Sequence, residues 1–343
     1  MAAASYVLAI FAPTLTIFLV ARFLSAFFAQ SGAVAYRTIV TEVSPSRARS
    51  AGLGLVFTIT TLGIVPVPLI LSYLGAIHSM DYAPIFYYAL ALDAVAAILG
   101  WLVVEEPPIF KRRKELLEKG ELKEERVPLR KLVSSEYLLP FILMAIVSIF
   151  GFVGTSFTLA NYNPTIESTV LRLPVWLVGV VEMIFIVNGS ITLLSFSLIS
   201  DRIGRLNSFI LSGILMIIGA PIAWHLSLLT MPAAGPATLI TLVIYEAGIL
   251  TYEWGAWSPG GYQPTWFSEL FPTGIRATAQ GISMTLANLA GFLVTLAIGV
   301  LSPLITLPNA LILFGELSGV AVLIVGIVAK RRKLETKGTA LKI

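Results

Sequence analysis

The sequence predicts an all-α integral membrane protein made of two related helical bundles, the first of them incomplete. Of its 343 residues, 57% are hydrophobic and 12% are charged, whereas a soluble domain carries roughly 25% charged residues. The apolar residues form runs long enough to cross a bilayer. One charged pattern, E-x-x-P-x-x-x-R, occurs at Glu42–Arg49 and again at Glu269–Arg276, at one offset of 227 residues (269 − 42 and 276 − 49). Two copies of a pattern at a fixed offset are typical of membrane proteins built from repeated bundles.

Nine apolar runs predict nine membrane-spanning helices. A hydrocarbon core of about 30 Å needs roughly 20 helical residues, and each run reaches that length. An earlier run, Ala2–Ala12, is only about 17 Å long as a helix and ends at Pro13, so the chain is expected to begin inside a helix. The nine predicted spans are Leu15–Thr41, Ala51–Leu74, Pro84–Val104, Tyr137–Leu159, Pro174–Ser200, Leu206–Leu228, Ala237–Trp257, Ala277–Leu301 and Pro308–Ala329.

The basic residues predict the orientation of these spans. Lys and Arg concentrate in cytoplasmic loops. In this chain they follow the first, third, fifth, seventh and ninth spans, and the intervening connections hold only Arg172. We therefore expect a multi-pass protein of the cell membrane whose first full span runs from outside to inside and whose C-terminus is cytoplasmic.

A charged segment divides the chain into its predicted domains. Residues 105–136 carry 17 of the 42 charges, and their periodic part, Lys111–Glu125, predicts a solvated amphipathic helix. We expect an incomplete first bundle over 1–104, from part of its third helix to its sixth. A cytoplasmic linker over 105–136, a six-helix second bundle over 137–329 and a basic cytoplasmic tail over 330–343 follow it.

One charged loop of the second bundle has no counterpart in the first. The run Asp201-Arg202-Ile-Gly204-Arg205 lies between two predicted spans, and subtracting 227 places its partner before Met1. If the second bundle has six spans, the first should also have six, yet only three full spans and a short one precede the linker. Two helices, most of a third and one signature loop are therefore expected to be absent from this chain.

These motifs resemble those of the major facilitator superfamily, and within it the sugar porter branch and its metabolite:proton symporter relatives. Asp201–Arg205 is similar to the family's D-R-x-G-R loop between helices eight and nine, and both E-x-x-P-x-x-x-R turns match its paired turns. Asn188 precedes Asp201 by the family's usual interval, and Tyr162-Asn-Pro-Thr-Ile166 resembles the end of its helix seven. The resemblance spans nearly the whole chain and implies the family's fold of two pseudo-symmetric six-helix bundles.

The chain departs from the family's pattern at three places. Ala26 and Gln30 stand where helix four of the family has glycines, and Ser50 replaces the glycine after the first turn's arginine. Glu105-Glu106-Pro107-Pro108 lacks the arginine of the family's E-S-P-R. We expect the close packing of helix four to be altered by the first of these changes.

The charged turns are expected to form a gate at the cytoplasmic face. A D-R-x-G-R loop places one carboxylate and two guanidiniums within one tight turn. Bridges from this loop to the nearby E-x-x-P-x-x-x-R turn would hold the inner helix ends together in the outward-facing state. The first turn would act likewise, although the loop with its expected partners is missing. The alternative is ordinary anchoring by positive residues. The candidate gate residues are Glu42, Arg49, Asp201, Arg202, Gly204, Arg205, Glu269 and Arg276.

Carboxylates inside the spans are candidates for proton coupling. A charged side chain at a helix centre costs about 2.5–3.5 kcal/mol on insertion scales, so such residues are retained for a reason. Glu246 and Glu253 are seven residues apart on one helix face, with Trp257 at the next turn, and we expect that face to line the central cavity. The break at Pro259-Gly260-Gly261 is then a hinge or a bend facing the substrate. Asp93, Glu182 and Glu316 are further candidates. The alternative for each of these carboxylates is a buried, hydrogen-bonded polar group without a role in coupling.

Helix four supplies two candidate substrate residues, Arg22 and Gln30, and a second arginine, Arg37. A buried arginine can bind an anionic solute or keep a nearby carboxylate ionised, whereas Arg37 alternatively extends to the interface. Tyr162 and Trp257 are placed to stack on a sugar or an aromatic solute, and Asn188 is a polar candidate on the helix before the charged loop.

These features predict a secondary active transporter of a small organic solute, a sugar or an organic acid, that works by alternating access with proton symport. The rival interpretation is a non-transporting remnant or a solute-sensing relative. No nucleotide-binding or nucleophile motif is present, so we expect no enzyme activity and no catalytic residues. With no Cys and two His, we expect no metal site and no cofactor. The expected partners are the solute, a proton and the lipid bilayer, without nucleic acid or an obligate protein partner.

Overall fold

Helices make up all the regular structure that is described in the computed structural model, which covers residues 2–77, 83–103, 108–121 and 132–339. The N-terminal half contains α1 (Ala2–Ile10), α2 (Leu15–Val43), α3 (Arg49–Leu62), α4 (Pro66–Ala76) and α5 (Ala83–Val103), and α6 (Pro108–Glu118) follows it. The C-terminal half contains α7 (Leu138–Phe150), α8 (Phe157–Ala160), α9 (Asn163–Thr165), α10 (Val175–Ile203), α11 (Arg205–Pro221), α12 (Leu239–Trp257), α13 (Pro259–Leu270), α14 (Thr273–Ile305) and α15 (Leu307–Arg331). Short π and 3-10 turns extend α7, α9 and α11.

Each predicted span falls on a helix or on two helices that follow each other. Seven are long and apolar enough to cross a membrane: Arg49–Ala76, Ala83–Val103, Leu138–Val170, Val175–Ile203, Arg205–Thr230, Gly274–Ile305 and Leu307–Arg331. These seven spans confirm an all-helical, multi-pass membrane protein. The other two predicted spans correspond to α2 and α12, so the number nine stays a prediction.

Local sequence explains where several helices begin. Thr14 precedes α2, and its hydroxyl accepts a hydrogen bond of 3.3 Å from the amide of Ile17. Thr238 does the same for α12, accepting from the amide of Thr241 at 3.2 Å. A threonine in this position satisfies one of the amides that the first helical turn leaves free.

The predicted break near Pro259 is present, but it does not line a cavity. Helix α12 ends at Trp257, α13 begins at Pro259, and every residue of α13 is buried. Gly261 approaches Ser197 of α10 so closely that a β-carbon at Gly261 would collide with the serine hydroxyl. The expectation of a bend facing the substrate is therefore wrong, because the glycine allows α13 to pack directly on α10.

The two halves pack against each other along few helices. Helices α3 and α4 lie along α10, and α2 contacts α13 and α14. Helix α5 contacts α1 and α4 and has no buried residue. The two clusters of buried apolar side chains draw mainly on the C-terminal half, and from the N-terminal half their buried members are Leu53 and Phe57 of α3. The C-terminal half therefore holds the main core.

The predicted amphipathic helix of the linker is shorter than expected. Helix α6 begins at Pro108 and ends at Glu118, and Gly120 follows with a positive φ of 71° that favours glycine. The remainder of the predicted helix, from 122 to 125, and the first three residues of the motif at 105–108 lie outside the described residues. After α15 the chain continues as the described part of the tail, residues 332–339.

Candidate functional site

The two repeated turns meet at one end of the helices and exchange ion pairs. Arg49 Nη1 donates to Glu269 Oε1 at 2.8 Å, and Arg276 Nη1 donates to Glu42 Oε1 at 3.0 Å. Each arginine therefore pairs with the glutamate of the other copy. Partners for Glu42 and Arg49 were expected in a loop upstream of Met1, but within this chain both residues find partners in the second turn.

The surrounding hydrogen bonds repeat with the same offset as the sequence. Arg49 Nε donates to the carbonyl of Thr41 at 3.0 Å, and Arg276 Nε donates to the carbonyl of Ser268 at 2.9 Å. The hydroxyls of Thr41 and Ser268, which are equivalent in the two copies, lie 3.4 Å apart. Equivalent residues in contact imply a local two-fold axis between them. The sequence repeat is thus a structural repeat at this end of the molecule.

The Asp201–Arg205 loop joins this arrangement from α10 and α11. Arg205 Nη2 lies 3.3 Å from Glu269 Oε1, and Arg205 Nη1 donates to Asp201 Oδ1 at 2.5 Å. Glu269 is therefore shared by Arg205 and Arg49. We refer to Glu42, Arg49, Asp201, Arg205, Glu269 and Arg276 as the ion-pair cluster.

Asp201 also binds the N-terminus of α3, which belongs to the other half of the chain. Its carboxylate accepts from the amide of Ala51 at 2.8 Å and from that of Ser50 at 3.4 Å. Residue Ala48, at the start of α3, has no side chain that could accept these bonds. An acidic side chain at a helix N-terminus is favoured by the free amides and by the helix dipole. Asp201 thus ties α3 to α10.

The remaining two residues of the predicted gate shape the loop without joining the ion pairs. Gly204 has a φ of 99°, which favours glycine, and a β-carbon there would lie 2.6 Å from a carboxylate oxygen of Glu335. The Arg202 side chain is exposed, while its carbonyl accepts from Lys337 Nζ at 2.5 Å.

Burial gives the ion-pair cluster its energetic weight. Three guanidiniums face three carboxylates, and Arg205, Arg276 and Glu269 are each exposed by 3% or less. Exposed ion pairs contribute only about 0–1 kcal/mol, but removal of one partner from a buried pair costs about 3–5 kcal/mol because the remaining charge is left uncompensated. The cluster can therefore hold the two halves together firmly. Removal of one charged side chain affects several other members, because they share partners.

The C-terminal tail covers the ion-pair cluster, which the sequence did not predict. Thr336 Oγ1 donates to Glu269 Oε2 at 2.6 Å, and Arg49 Nη1 donates to the carbonyl of Thr339 at 3.2 Å. Glu335 accepts from the amides of Arg205 and Leu206, at 3.0 and 3.1 Å, at the start of α11. One feature of the sequence pointed to this contact: Glu335 is the sole acidic residue between Lys330 and Ile343.

Glu253 is enclosed between α10 and α12. It is 0% exposed, and its Oε2 accepts a hydrogen bond of 2.5 Å from Asn188, whose own Oδ1 accepts from Trp254 Nε1 at 3.0 Å. That Glu253 lines a central cavity stays a prediction, because in this structure the residue is enclosed. Its face of α12 packs on α10, and the carboxyl takes part in a buried polar network with Asn188.

Glu246 belongs to a second group of acidic residues, which includes Glu167, a residue not singled out from the sequence. The carboxyl groups of Glu167, Glu182 and Glu246 lie near enough to one another to repel when they are ionised. The Tyr245 hydroxyl, buried beside them, and oxygens of all three carboxyls lack hydrogen-bond partners in the described structure. We refer to Glu167, Glu182 and Glu246 as the carboxyl cluster.

The other predicted solute or proton residues have separate surroundings. Arg22 is exposed, with its guanidinium 5.8 Å from the centre of the Phe86 ring, and Asp93 is half-buried on α5. Trp257 is buried edge-to-face against Phe185, and the Tyr162 hydroxyl donates to the carbonyl of Thr295 at 3.4 Å. Gln30 lies in α2, but its side chain is outside the described part of the structure. Within the described ranges, no group of three or more His, Asp or Glu side chains is arranged to hold a metal ion.

Arg37 is buried where the two halves of the chain meet. The alternative expectation was a side chain that extends to the membrane–water interface. Arg37 is 6% exposed, its Nη1 donates to the sulfur of Met284 on α14, and its guanidinium lies 5.1 Å from the centre of the Phe57 ring on α3. Its Nε has no partner in the described structure. A cation–π contact contributes about 0.5–2 kcal/mol, less than the several kcal/mol that burial of an ion costs. The structure therefore leaves this charge undercompensated.

Known structures share this fold over most of their length. The proton:xylose symporter XylE bound to 6-bromo-6-deoxy-D-glucose superimposes with a TM-score of 0.70 at 18% identity, covering 99% of this chain and 80% of that one. A bacterial homologue of the iron transporter ferroportin, in its outward-facing state, gives a TM-score of 0.56 at 16% identity, covering 93% and 72%. At these identities the similarity concerns the fold. No curated protein sequence matches the chain significantly.

The sequence itself gives the same assignment as the fold. Residues 1–295 match the Major Facilitator Superfamily, and this range includes both repeated turns and the Asp201–Arg205 loop. Together with the crossed ion pairs and the XylE-like arrangement of helices, the match shows a membrane transporter rather than an enzyme, and the chain belongs to the major facilitator superfamily.

Proposed function

We propose that this protein moves a small organic solute, a sugar or an organic acid, across the cell membrane by alternating access with proton symport. The observation that carries the proposal is the crossed pairing of Arg49 with Glu269 and of Arg276 with Glu42. The pairs join the two halves at one end of the helices, where a transporter with a single central cavity must close when the cavity is open to the other side.

The ion-pair cluster is suited to act as the gate of this cycle. A gate must hold two packed units together in one state and let them part in the other. Ion pairs that are buried in the closed state become exposed to water when the halves separate, and their charged groups are then hydrated. The basic residues of this end support its assignment to the cytoplasmic face.

The carboxyl cluster supports proton coupling. The three carboxyl groups repel one another when they are ionised, and burial removes the water that would stabilise their charges. Opening of the surrounding helices to water would favour ionised carboxylates and release a proton. This exchange links proton transfer to the alternation between states.

A flux measurement tests the transport function. The purified protein is reconstituted into liposomes with an inside-alkaline pH gradient, and radiolabelled D-xylose, D-glucose, lactate and succinate are supplied in turn. We expect accumulation of at least one solute, which collapses when a protonophore abolishes the gradient. Uptake that is indifferent to the gradient would refute proton symport. Solute binding without any flux would favour a sensing relative.

Two glutamate variants separate coupling from structure. Glu246→Gln keeps the size of a residue in the carboxyl cluster but removes its charge, and we expect it to abolish accumulation against a gradient while solute exchange persists. Glu253→Gln is the matched control, because a glutamine oxygen still accepts the bond from Asn188. Accumulation by Glu246→Gln at the level of the natural protein would remove Glu246 from the coupling mechanism.

A further inference from the structure

Arg37 lies where the two halves meet, on the membrane side of the ion-pair cluster. It precedes Glu42 by five residues on α2, about 7.5 Å along the helix axis. Met284, which accepts its hydrogen bond, follows Arg276 by eight residues on α14, about 12 Å along that helix. The guanidinium is therefore held between α2, α3 and α14, one to two helical turns from the charges of the gate.

No carboxylate in the described part of the chain compensates this charge. Glu42, the nearest acidic residue on the same helix, is paired with Arg276, and it lies about 140° around the helix from Arg37 at 100° per residue. Glu269, the acidic residue that α13 brings to this interface, is paired with Arg49 and Arg205. The polar partner that Arg37 does have, the Met284 sulfur, is a weak acceptor.

A guanidinium remains charged at any physiological pH, and it cannot escape burial by losing its proton. Its five N–H donors form a planar fork that matches the two oxygens of a carboxylate. The described contacts of the Arg37 fork are with apolar or aromatic groups: Phe57 lies against its face, with Tyr36 packed edge-to-face on Phe57 at 5.7 Å, and Met284 lies on the opposite half. A ligand that satisfies this site needs an anionic group and an apolar or aromatic body.

We propose that Arg37 is a solute-binding residue and that the transported solute is a small organic carboxylate. The inference rests on the proposed transport function and narrows its solute class from sugars and acids to acids. A carboxylate bound to Arg37 contacts the N-terminal half through this arginine and lies beside α14 of the C-terminal half. The affinity of a site between the halves differs between the two states of the transporter. A solute needs such a difference in affinity to drive the alternation.

The site also accounts for the retention of a costly residue. Methionine at position 37 would fill a similar volume beside Phe57 and Met284 without a buried charge. A purely structural arginine would be expected to bond to carbonyls or carboxylates of its neighbours, as Arg49 and Arg276 do through Thr41 and Ser268. Arg37 forms no such bond in the described structure.

Ligand-dependent thermal unfolding of the purified protein in detergent tests the proposal without requiring transport. The probes are the sodium salts of acetate, lactate, succinate and benzoate, with D-xylose as the neutral probe and sodium chloride as the ionic-strength control. The proteins are the natural chain, Arg37→Met, Arg37→Lys and Arg172→Gln. Arg172 is the matched control, since its exposed guanidinium donates to the carbonyl of Gly235 and takes no part in the site.

We expect at least one carboxylate to raise the unfolding midpoint of the natural protein and of Arg172→Gln by about 2–4 °C. Arg37→Met should lose this response, and Arg37→Lys, which keeps the charge without the fork, should bind about tenfold more weakly. Without ligand, Arg37→Met should unfold at the same or a higher temperature than the natural protein, because an undercompensated buried charge has been removed.

Three results would overturn the proposal. They are a carboxylate response that survives in Arg37→Met, a lowered midpoint of ligand-free Arg37→Met, and a natural protein that responds to D-xylose or to none of the carboxylates. Failure of the transport function is distinguishable from these results. A protein that binds carboxylates through Arg37 but shows no flux in liposomes would refute transport while leaving the anion site in place.

Discussion

The turn at Glu42–Arg49 and the turn at Glu269–Arg276 share one sequence pattern but differ in their surroundings. In both, the arginine Nε bonds to a carbonyl eight residues earlier, at 3.0 and 2.9 Å. Glu42 is bound by Arg276 in the described structure, whereas Glu269 is bound by Arg49 and Arg205 and accepts a further bond from Thr336. The second turn therefore gathers more of the contacts that close this end of the molecule.

This difference teaches how a duplicated motif can become asymmetric. The backbone bond of each arginine depends only on its own helix–turn–helix segment, so it is present in both copies. The extra partners of Glu269 come from the Asp201–Arg205 loop and from the tail after α15. Both elements lie in the C-terminal half, which also holds most of the buried core. The ion-pair cluster is thus built as a symmetric pair of turns with added contacts on one side.

The largest expected effect separates the two glutamates. Glu269→Gln leaves Arg49 and Arg205 without their shared carboxylate, and we expect the closed gate to be weakened by about 3–5 kcal/mol. Glu42→Gln takes the carboxylate from one buried arginine, Arg276, rather than from two, and we expect a loss at the lower end of this range, about 3 kcal/mol. Because the chain has no cysteine, the variant Ser268→Cys provides a single thiol, 0% exposed at the parent residue, whose rate of maleimide labelling reports gate opening. Equal labelling rates for the two glutamine variants would contradict the asymmetry.

A second prediction concerns the Asp201–Arg205 loop. Asp201→Asn removes the ion pair with Arg205 but keeps an oxygen for the amide of Ala51, and we expect a cost of about 1.5–3 kcal/mol, less than that of Glu269→Gln. Thiol labelling at position 268 measures gate opening, and hydrogen exchange at the amides of Ser50 and Ala51 measures the capping of α3. Exchange at Ala51 should change little, whereas Ser50, whose amide bonds to the other carboxylate oxygen, should exchange faster. Fast exchange at both amides with an unchanged labelling rate would mean that Asp201 acts as a cap and not as part of the gate.

The smallest effect tests the contribution of the tail. Thr336→Val removes the hydroxyl that donates to Glu269 and preserves the side-chain shape, so we expect a loss of about 1 kcal/mol in gate closure. Thr339→Val is the matched control, because it also removes a tail hydroxyl, one that donates to the carbonyl of Thr336 and not to Glu269, while the Thr339 carbonyl keeps its contact with Arg49. If Thr336→Val labels no faster than Thr339→Val, the tail does not contribute to the asymmetry between Glu42 and Glu269.

Much of the fold followed from the sequence because the bilayer imposes strong local rules. Apolar runs of sufficient length predicted the positions of the helices, the Gly204 turn was evident from Asp201-Arg-Ile-Gly-Arg205, and the repeated E-x-x-P-x-x-x-R predicted two related turns. The crossing of the pairs was missed. A seven-residue spacing places Glu42 and Arg49 along one segment, but it does not say whether the nearer partner is in the same turn or in its copy.

The intramembrane residues show a similar limit. The seven-residue spacing of Glu246 and Glu253 placed them on one face of α12, but their environments differ. Glu253 is enclosed against Asn188 of α10, and Glu246 lies beside Glu182 and Glu167. Helical periodicity defines a face, whereas burial depends on which neighbouring helix covers each turn of that face.

The sequence by itself determined the class of the protein, the positions of its helices and the duplication of its charged turns, because hydrophobic length, backbone hydrogen bonding and residue spacing act within short segments. Tertiary structure alone decided that Arg49 binds Glu269 and Arg276 binds Glu42, that the tail reaches Glu269 through Thr336, and that Arg37 is buried beside Met284 with no carboxylate partner among the described residues. Partners more than 200 residues apart in the chain are selected by helix packing, which brings distant segments into contact and is not encoded in any one of them.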